Sequence, residues 1–319
     1  MGTTLKKLIK NTIAYRIFCG DKKNHSFSHA YLIVCEDELA LPEYLNIFAK
    51  TLFCETSATY CDECRGCRLI EKNTHTDVTF YPKNEKAKIL TADIDELISK
   101  TYLKPLEADK RIFVLCGAES MNASAQNKLL KTLEEPPENV YLIIGTSNES
   151  ALLPTVKSRV KKLEIAPFSE DDIVNALKDD FYDEKKLKNA ATFADGKPGL
   201  ALAYLSGETA LSDLTKFTLD VFLNMTSSAD ILGYSAKIDK NNIKEFFITV
   251  KKVLEQSIRG EGDIKIKEIA KTYPLGARLK IIEIVNDFER ALVFNGNTTM
   301  LADKLLLSVL EEKYRWKKL

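Results

Sequence analysis

Two textures succeed one another along this chain. Up to about Pro167, short continuous apolar runs alternate with stretches whose apolar residues recur at helical spacing; beyond it only the helical spacing remains. The runs are His29-Ala30-Tyr31-Leu32-Ile33-Val34-Cys35, Arg111-Ile112-Phe113-Val114-Leu115-Cys116 and Val140 to Gly145, and Asp77 to Pro82 and Val160 to Ile165 read as two further short strands. Most are apolar on both faces and all are separated by helical pattern, which predicts a parallel α/β sheet covered on both sides. The spacing predicts helices over Leu39 to Phe53, from Thr91 as N-cap through about Tyr102, and from about Asn122 to Glu135, where Pro136-Pro137 ends the run. At the start, MGTTLKKLIKNTIAYRIFCG has its apolar positions broken by Lys10, Asn11 and Arg16, a pattern expected of one amphipathic helix and not of a signal peptide.

Past Pro167, Ser169 with Glu170-Asp171-Asp172 reads as a helix cap and acidic first turn. Three short helices are expected over 169–207, the third opening at the turn in DGKPGLALAYL, and then some five longer ones, among them Asn242 to Arg259, Leu275 to Phe294 and Met300 to Trp316. The fold class is therefore α/β followed by all-α, divided as 1–166, 167–207 and 208–319.

Composition narrows the function. At 45% hydrophobic and 29% charged, the 319 residues are those of an ordinary globular chain, and no apolar stretch reaches the roughly 18 residues of a membrane span. A cytoplasmic protein is expected. Lys+Arg and Asp+Glu balance at 46 each, so the chain lacks the basic excess of a protein that grips nucleic acid alone. Any DNA contact should be local or shared with partners.

Four of the seven cysteines, Cys54, Cys61, Cys64 and Cys67, form C-x6-C-x2-C-x2-C. Two-residue gaps turn successive thiolates inward, and four thiolates close a tetrahedron around Zn²⁺ with no position left for water, so a structural zinc ion is expected over about 54–67. A pair of disulfides is the competing reading and needs an oxidising compartment. Arg65, Arg68 and Lys72 lie near enough in sequence to offset the site's charge. Cys19, Cys35 and Cys116 read as small buried hydrophobes.

The stretch NKLLKTLEEPPENVYLIIGTSNESALLPTVKSRV, residues 127–160, resembles the clamp-loader branch of the AAA+ proteins, and LLKTLEEPP is a signature of the bacterial gamma/tau and delta-prime subunits of DNA polymerase III. SHAYLI, the four-cysteine insertion, LKPLEADKRIFVLCGAESMNASAQ and GKPGLAL extend the resemblance over at least residues 25–205. It implies a RecA-like AAA+ domain with a zinc insertion, a three-helix lid and a helical collar. The partners it implies are gamma/tau and delta subunits, the sliding clamp through the complex, and primed DNA.

Departures from the family pattern point to one kind of member. ATP-binding relatives carry a Gly-rich loop ending in Gly-Lys-Thr after the first strand; here Glu36-Asp37-Glu38 stands there instead, where carboxylates repel a polyphosphate. In CGAES, Gly117 replaces the expected Asp and only Glu119 remains, and the lid arginine is replaced within GKPG. The resemblance thus implies a delta-prime-like subunit that binds no ATP. The family's Ser-Arg-Cys motif survives as Ser158-Arg159-Val160, and the resemblance implies that Arg159 reaches in trans into a neighbour's ATP site.

Other candidates read as structural. His29 and His75 lack a paired carboxylate pattern, Glu134-Glu135 is explained by packing and a helix stop, and Lys128 with Lys131 reads as a solvated face. A gamma-type ATPase and a zinc-dependent nucleic-acid binder are the alternative functions; ATP binding by the isolated chain would mark the first, and a salt-steep DNA shift the second.

Overall fold

The computed structural model describes residues 2–83, 88–181, 183–206, 210–240, 242–260, 264–293 and 297–315, packed as two units, Met1–Leu202 and Ala203–Leu319. Phe294 and Trp316, the expected ends of two helices, lie outside the described residues. The first unit opens with α1 (Gly2–Lys10), α2 (Ile13–Lys23), β1 (Ala30–Cys35), α3 (Leu41–Phe53) and α4 (Arg65–Glu71). It continues through β2 (Val78–Tyr81), α5 (Thr91–Thr101), β3 (Arg111–Cys116), α6 (Ala123–Glu134), β4 (Val140–Thr146), α7 (Pro154–Lys157) and β5 (Lys161–Ile165). Then come α8 (Glu170–Leu177), α9 (Glu184–Ala194) and the start of α10 (Pro198–Leu205).

The five strands are parallel, in the order β2-β3-β4-β1-β5. Every residue of β1 is buried, because helices cover both faces. On one face Leu32, Phe113, Leu115, Leu142 and Ile144 share a core with Ile94 and Leu97 of α5 and Leu129 and Leu133 of α6. On the other, α3 approaches β4 so closely that a Cβ on Gly145 would sit 2.5 Å from Leu45 Cδ1. Packing alone therefore requires glycine there.

Local chemistry moves two helix boundaries from those expected. The amphipathic start is two helices, since the Thr12 hydroxyl accepts the N–H of Tyr15 at 3.2 Å and caps a new helix. Leu90, not Thr91, is the N-cap of α5, and Asp93 reaches back to accept the Leu90 N–H at 2.8 Å. Behind the sheet, the fully buried Asp77 accepts the N–H groups of Leu106, Glu107 and Ala108 at 2.7, 2.8 and 3.1 Å and pairs with Arg111 at 3.3 Å. One carboxylate thereby fixes the loop entering β3.

The second unit is helical: α11 (Ala210–Asn224), α12 (Ser228–Ser235), α13 (Ile243–Arg259), α14 (Ile264–Thr272), α15 (Leu275–Val293) and α16 (Thr298–Arg315). Phe222, Phe246, Phe247, Tyr273, Ile281 and Leu305 form its core. The buried Lys313 donates to the Met225 carbonyl at 2.7 Å, satisfying an acceptor just past the end of α11. Among the described residues no helix is long and apolar enough to cross a membrane.

Candidate functional site

The four cysteines of the insertion converge as their spacing predicts. Cys54 caps the end of α3, Cys61 sits in the loop, Cys64 caps α4 and Cys67 lies in its first turn, and all four Sγ atoms fall within 4.8 Å of one another. Four sulfurs about 2.3 Å from a central zinc ion would stand about 3.8 Å apart; the Cys54–Cys61 and Cys61–Cys67 separations are 3.7 and 4.0 Å. The set can hold a metal ion. The Cys64 N–H donates to Cys61 Sγ at 3.2 Å and the Cys67 N–H to Cys64 Sγ at 3.4 Å, while Thr56 Oγ1 is 3.1 Å from Cys61 Sγ. The Thr56 hydroxyl and the N–H groups of Cys64 and Glu63 draw the Cys61 thiol down to about 6, whereas burial pushes that of Cys67 up to about 12.

The cations around the knuckle are not those expected from sequence proximity. Arg65 instead pairs with Glu107 at 3.1 Å, and it is Lys22 that reaches in from α2, donating to the carbonyls of Cys54, Ser57 (2.7 Å) and Thr59 (2.7 Å). Lys50, fully buried on α3, pairs with Asp62 at 2.8 Å and with Glu71, and its ammonium lies 4.9 Å from the Tyr60 ring centroid. Lys6 of α1 joins the same two carboxylates at 3.1 and 3.7 Å. The knuckle is thus bolted to α1 and α3 by charges that are distant in sequence and adjacent in space.

In open parallel sheets a ligand crevice opens at the carboxyl ends of the strands, where the strand order reverses. At that edge β1 delivers Glu36-Asp37-Glu38, and the three do not act alike. Asp37 is 5% exposed and turned inward: it accepts the N–H of Gly199 at 2.6 Å and that of Ala40 at 3.3 Å. Burial raises its carboxyl above the ordinary range, and the N–H groups of Gly199, Ala40 and Leu39 pull it part of the way back. Only Glu36 and Glu38 face outward, Glu36 toward Lys197 at 3.6 Å. The expectation of three repelling carboxylates is corrected to two, with the third used to hold the turn before α10.

That turn fits closely. A Cβ on Gly199 would stand 2.6 Å from Ala40 N and 2.8 Å from Asp37 Oδ1, and the space left among Cys35, Asp37, Pro167 and Lys197 is about 10 Å³, room for one water at most. Glu119 is likewise engaged: its carboxylate accepts the Thr146 hydroxyl at 2.7 Å and lies 2.9 Å from Ser147 Oγ.

Ser158 ends α7 and Arg159 follows it, as the sequence suggested, but the arginine is not a free surface group. Its side chain is 33% exposed; Nη2 pairs with Glu134 at 2.7 Å, and Nη1 donates to the Thr155 carbonyl at 2.9 Å and to Ser158 Oγ at 3.1 Å. Glu134, read from sequence as part of a helix stop, is brought beside Arg159 only by the three-dimensional arrangement. His29, Leu133, Glu134, Ser158 and Arg159 line one open depression of about 590 Å³. His75 is buried, accepts the Asp77 N–H at 3.0 Å and packs on Phe53. Lys128 is exposed and paired with Asp95 at 2.6 Å.

The parallel five-stranded sheet, with chemistry gathered at its strand ends and a helical region after it, defines an AAA+ architecture. The chain belongs to the family described as DNA polymerase III, delta subunit, whose sequence model matches residues 10–169, half of its length, and it is a clamp-loader member of the AAA+ proteins. It is 26% identical over 261 residues to DNA polymerase III subunit gamma of Buchnera aphidicola subsp. Schizaphis graminum, a match covering 79% of this chain and 68% of that one. Against DNA polymerase III subunit delta' of Bacillus subtilis it is 32% identical over 151 residues, covering 47% and 46%. Against the Escherichia coli K12 subunit delta' it is 28% identical over 184 residues, covering 56% and 55%. The match therefore spans about half the length of these delta' relatives.

Proposed function

We propose that this chain is a delta-prime-like, ATP-inert subunit of a bacterial clamp loader, which loads the sliding clamp onto primed DNA in the cytoplasm. In this reading 1–166 is the AAA+ body, 167–207 the lid, and 208–319 the collar that joins gamma/tau and delta subunits. Arg159, preceded by Ser158, acts on a neighbour's nucleotide. The four cysteines hold a structural Zn²⁺, whose chemistry is to cross-link α3, the loop and α4 without offering an open position. This chain's own residues do the rest: Thr56 and the knuckle N–H groups orient the sulfurs, and Lys50 with Lys6 anchors the module.

The observation that carries inertness is Asp37 bonded to the Gly199 N–H. A phosphate bound after β1 would be cradled by backbone N–H groups; here a carboxylate of the chain itself accepts two such groups, and no lysine stands in the loop. A triphosphate placed there would meet that buried carboxylate with Glu36 and Glu38 beside it. Titration calorimetry of the isolated chain with Mg-ATP tests this. No heat of binding is expected in the micromolar range, and a one-site isotherm would overturn the reading in favour of a gamma-type ATPase.

A further inference from the structure

The ion pair between Glu134 and Arg159 is electrostatically odd. Glu134 is the last residue of α6, where the helix dipole disfavours a carboxylate, and the cation that compensates it comes from beyond α7. Arg159 is held at two points, by Glu134 on Nη2 and by the Thr155 carbonyl and Ser158 hydroxyl on Nη1. The guanidinium is therefore folded back along its own subunit, at the wall of an open depression. The pair is also weak enough to break, because its partners are 33% and 49% exposed and solvent screens pairs of that kind.

We infer that Glu134 is a latch for the arginine finger, a positioning residue that keeps Arg159 retracted until a more highly charged anion replaces the carboxylate. The inference rests on the reading of Arg159 as acting in trans. Its occupant is the terminal phosphate of a nucleoside triphosphate held by the adjacent subunit. The exchange swaps one anion for another, so it costs little when the incoming group carries more charge, and it reverses when the phosphate leaves. His29 lines the same depression.

The test is steady-state ATP hydrolysis by the reconstituted clamp-loader complex carrying E134Q, E134D or R159A in this chain, with the ATP concentration at half-maximal rate separated from the maximal rate. Removing the latch should lower the half-saturating ATP concentration by up to about five-fold, the ratio matching such an ion pair, without lowering the maximal rate. E134D should return it toward the wild-type value. R159A should lower the maximal rate. If R159A lowers the rate and E134Q leaves half-saturation unchanged, the latch is wrong and the finger stands. An E134Q complex with a reduced maximal rate also overturns the latch, since Glu134 would then be holding Arg159 in its working pose. An unchanged R159A complex removes the reading on which the latch depends.

Discussion

Asp37 and Gly199, separated by 162 residues in sequence, are joined by a 2.6 Å hydrogen bond from the glycine N–H to the aspartate carboxylate. The bond closes the start of α10 onto the end of β1, so this helix is held by an internal anion.

Asp37→Ala should leave the Gly199 N–H buried without an acceptor, a cost of about 1–3 kcal/mol. Gly199→Ala should disturb the same contact from the other side, because its Cβ would fall 2.6 Å from backbone N of Ala40. In hydrogen-exchange measurements both variants should speed exchange at 199–202 while β1, β3 and β4 stay protected. Unchanged exchange at these amides in both variants would show that the contact does not hold the start of α10.

Acid stability should report on Asp77. Burial by itself would raise its carboxyl, but the N–H groups of Glu107, Leu106 and Ala108 together with Arg111 outweigh burial and hold it below the ordinary carboxylate range. A group whose folded value lies below its unfolded value stabilises fully above the unfolded value, about pH 4, and loses that contribution as pH falls through the folded one. Asp77→Asn should therefore flatten the acid limb of the urea-stability profile below about pH 4. It should also lower the neutral plateau by about 3–5 kcal/mol, because Arg111 is left buried beside a neutral partner. A variant with the wild-type slope below pH 4 would remove Asp77 from the account.

Zinc analysis checks the knuckle. One equivalent per chain is expected, and Cys64→Ser should lose it, with local exposure of 54–71 and no loss of the sheet. Lys50→Met should weaken zinc retention without touching a ligand, since Asp62 and Glu71 would lose their buried cation. Native protein holding less than about half an equivalent, with freely titrating thiols, contradicts a zinc site.

The sheet was legible because its central strands β1, β3 and β4 are short, nearly unbroken apolar runs, and the knuckle because ligand spacing is a local property. The helix limits at Thr12 and Leu90 were misplaced by a residue or by a break, since single side-chain to backbone bonds decide them. What could not be read were contacts between distant positions. Lys22 meets a loop 32 residues on, Lys50 reaches Asp62 and Glu71, and Glu134 looks like a helix stop until Arg159 is folded beside it. Asp37 was identified as a carboxylate at the right place, but its inward direction depends on a helix that begins at Pro198.

The central claim is that a subunit without its own nucleotide completes the site of another. Its most direct measurement is the DNA- and clamp-stimulated ATP hydrolysis of the reconstituted complex with Arg159→Ala and Arg159→Lys in this chain. Assembly and folding should be unchanged, because Arg159 supports no core. Turnover at one site should fall on the order of 10³-fold, and lysine should restore little of it, lacking the planar two-pronged donor. An assembled alanine complex that hydrolyses ATP at every site and loads clamps at the wild-type rate would contradict the account.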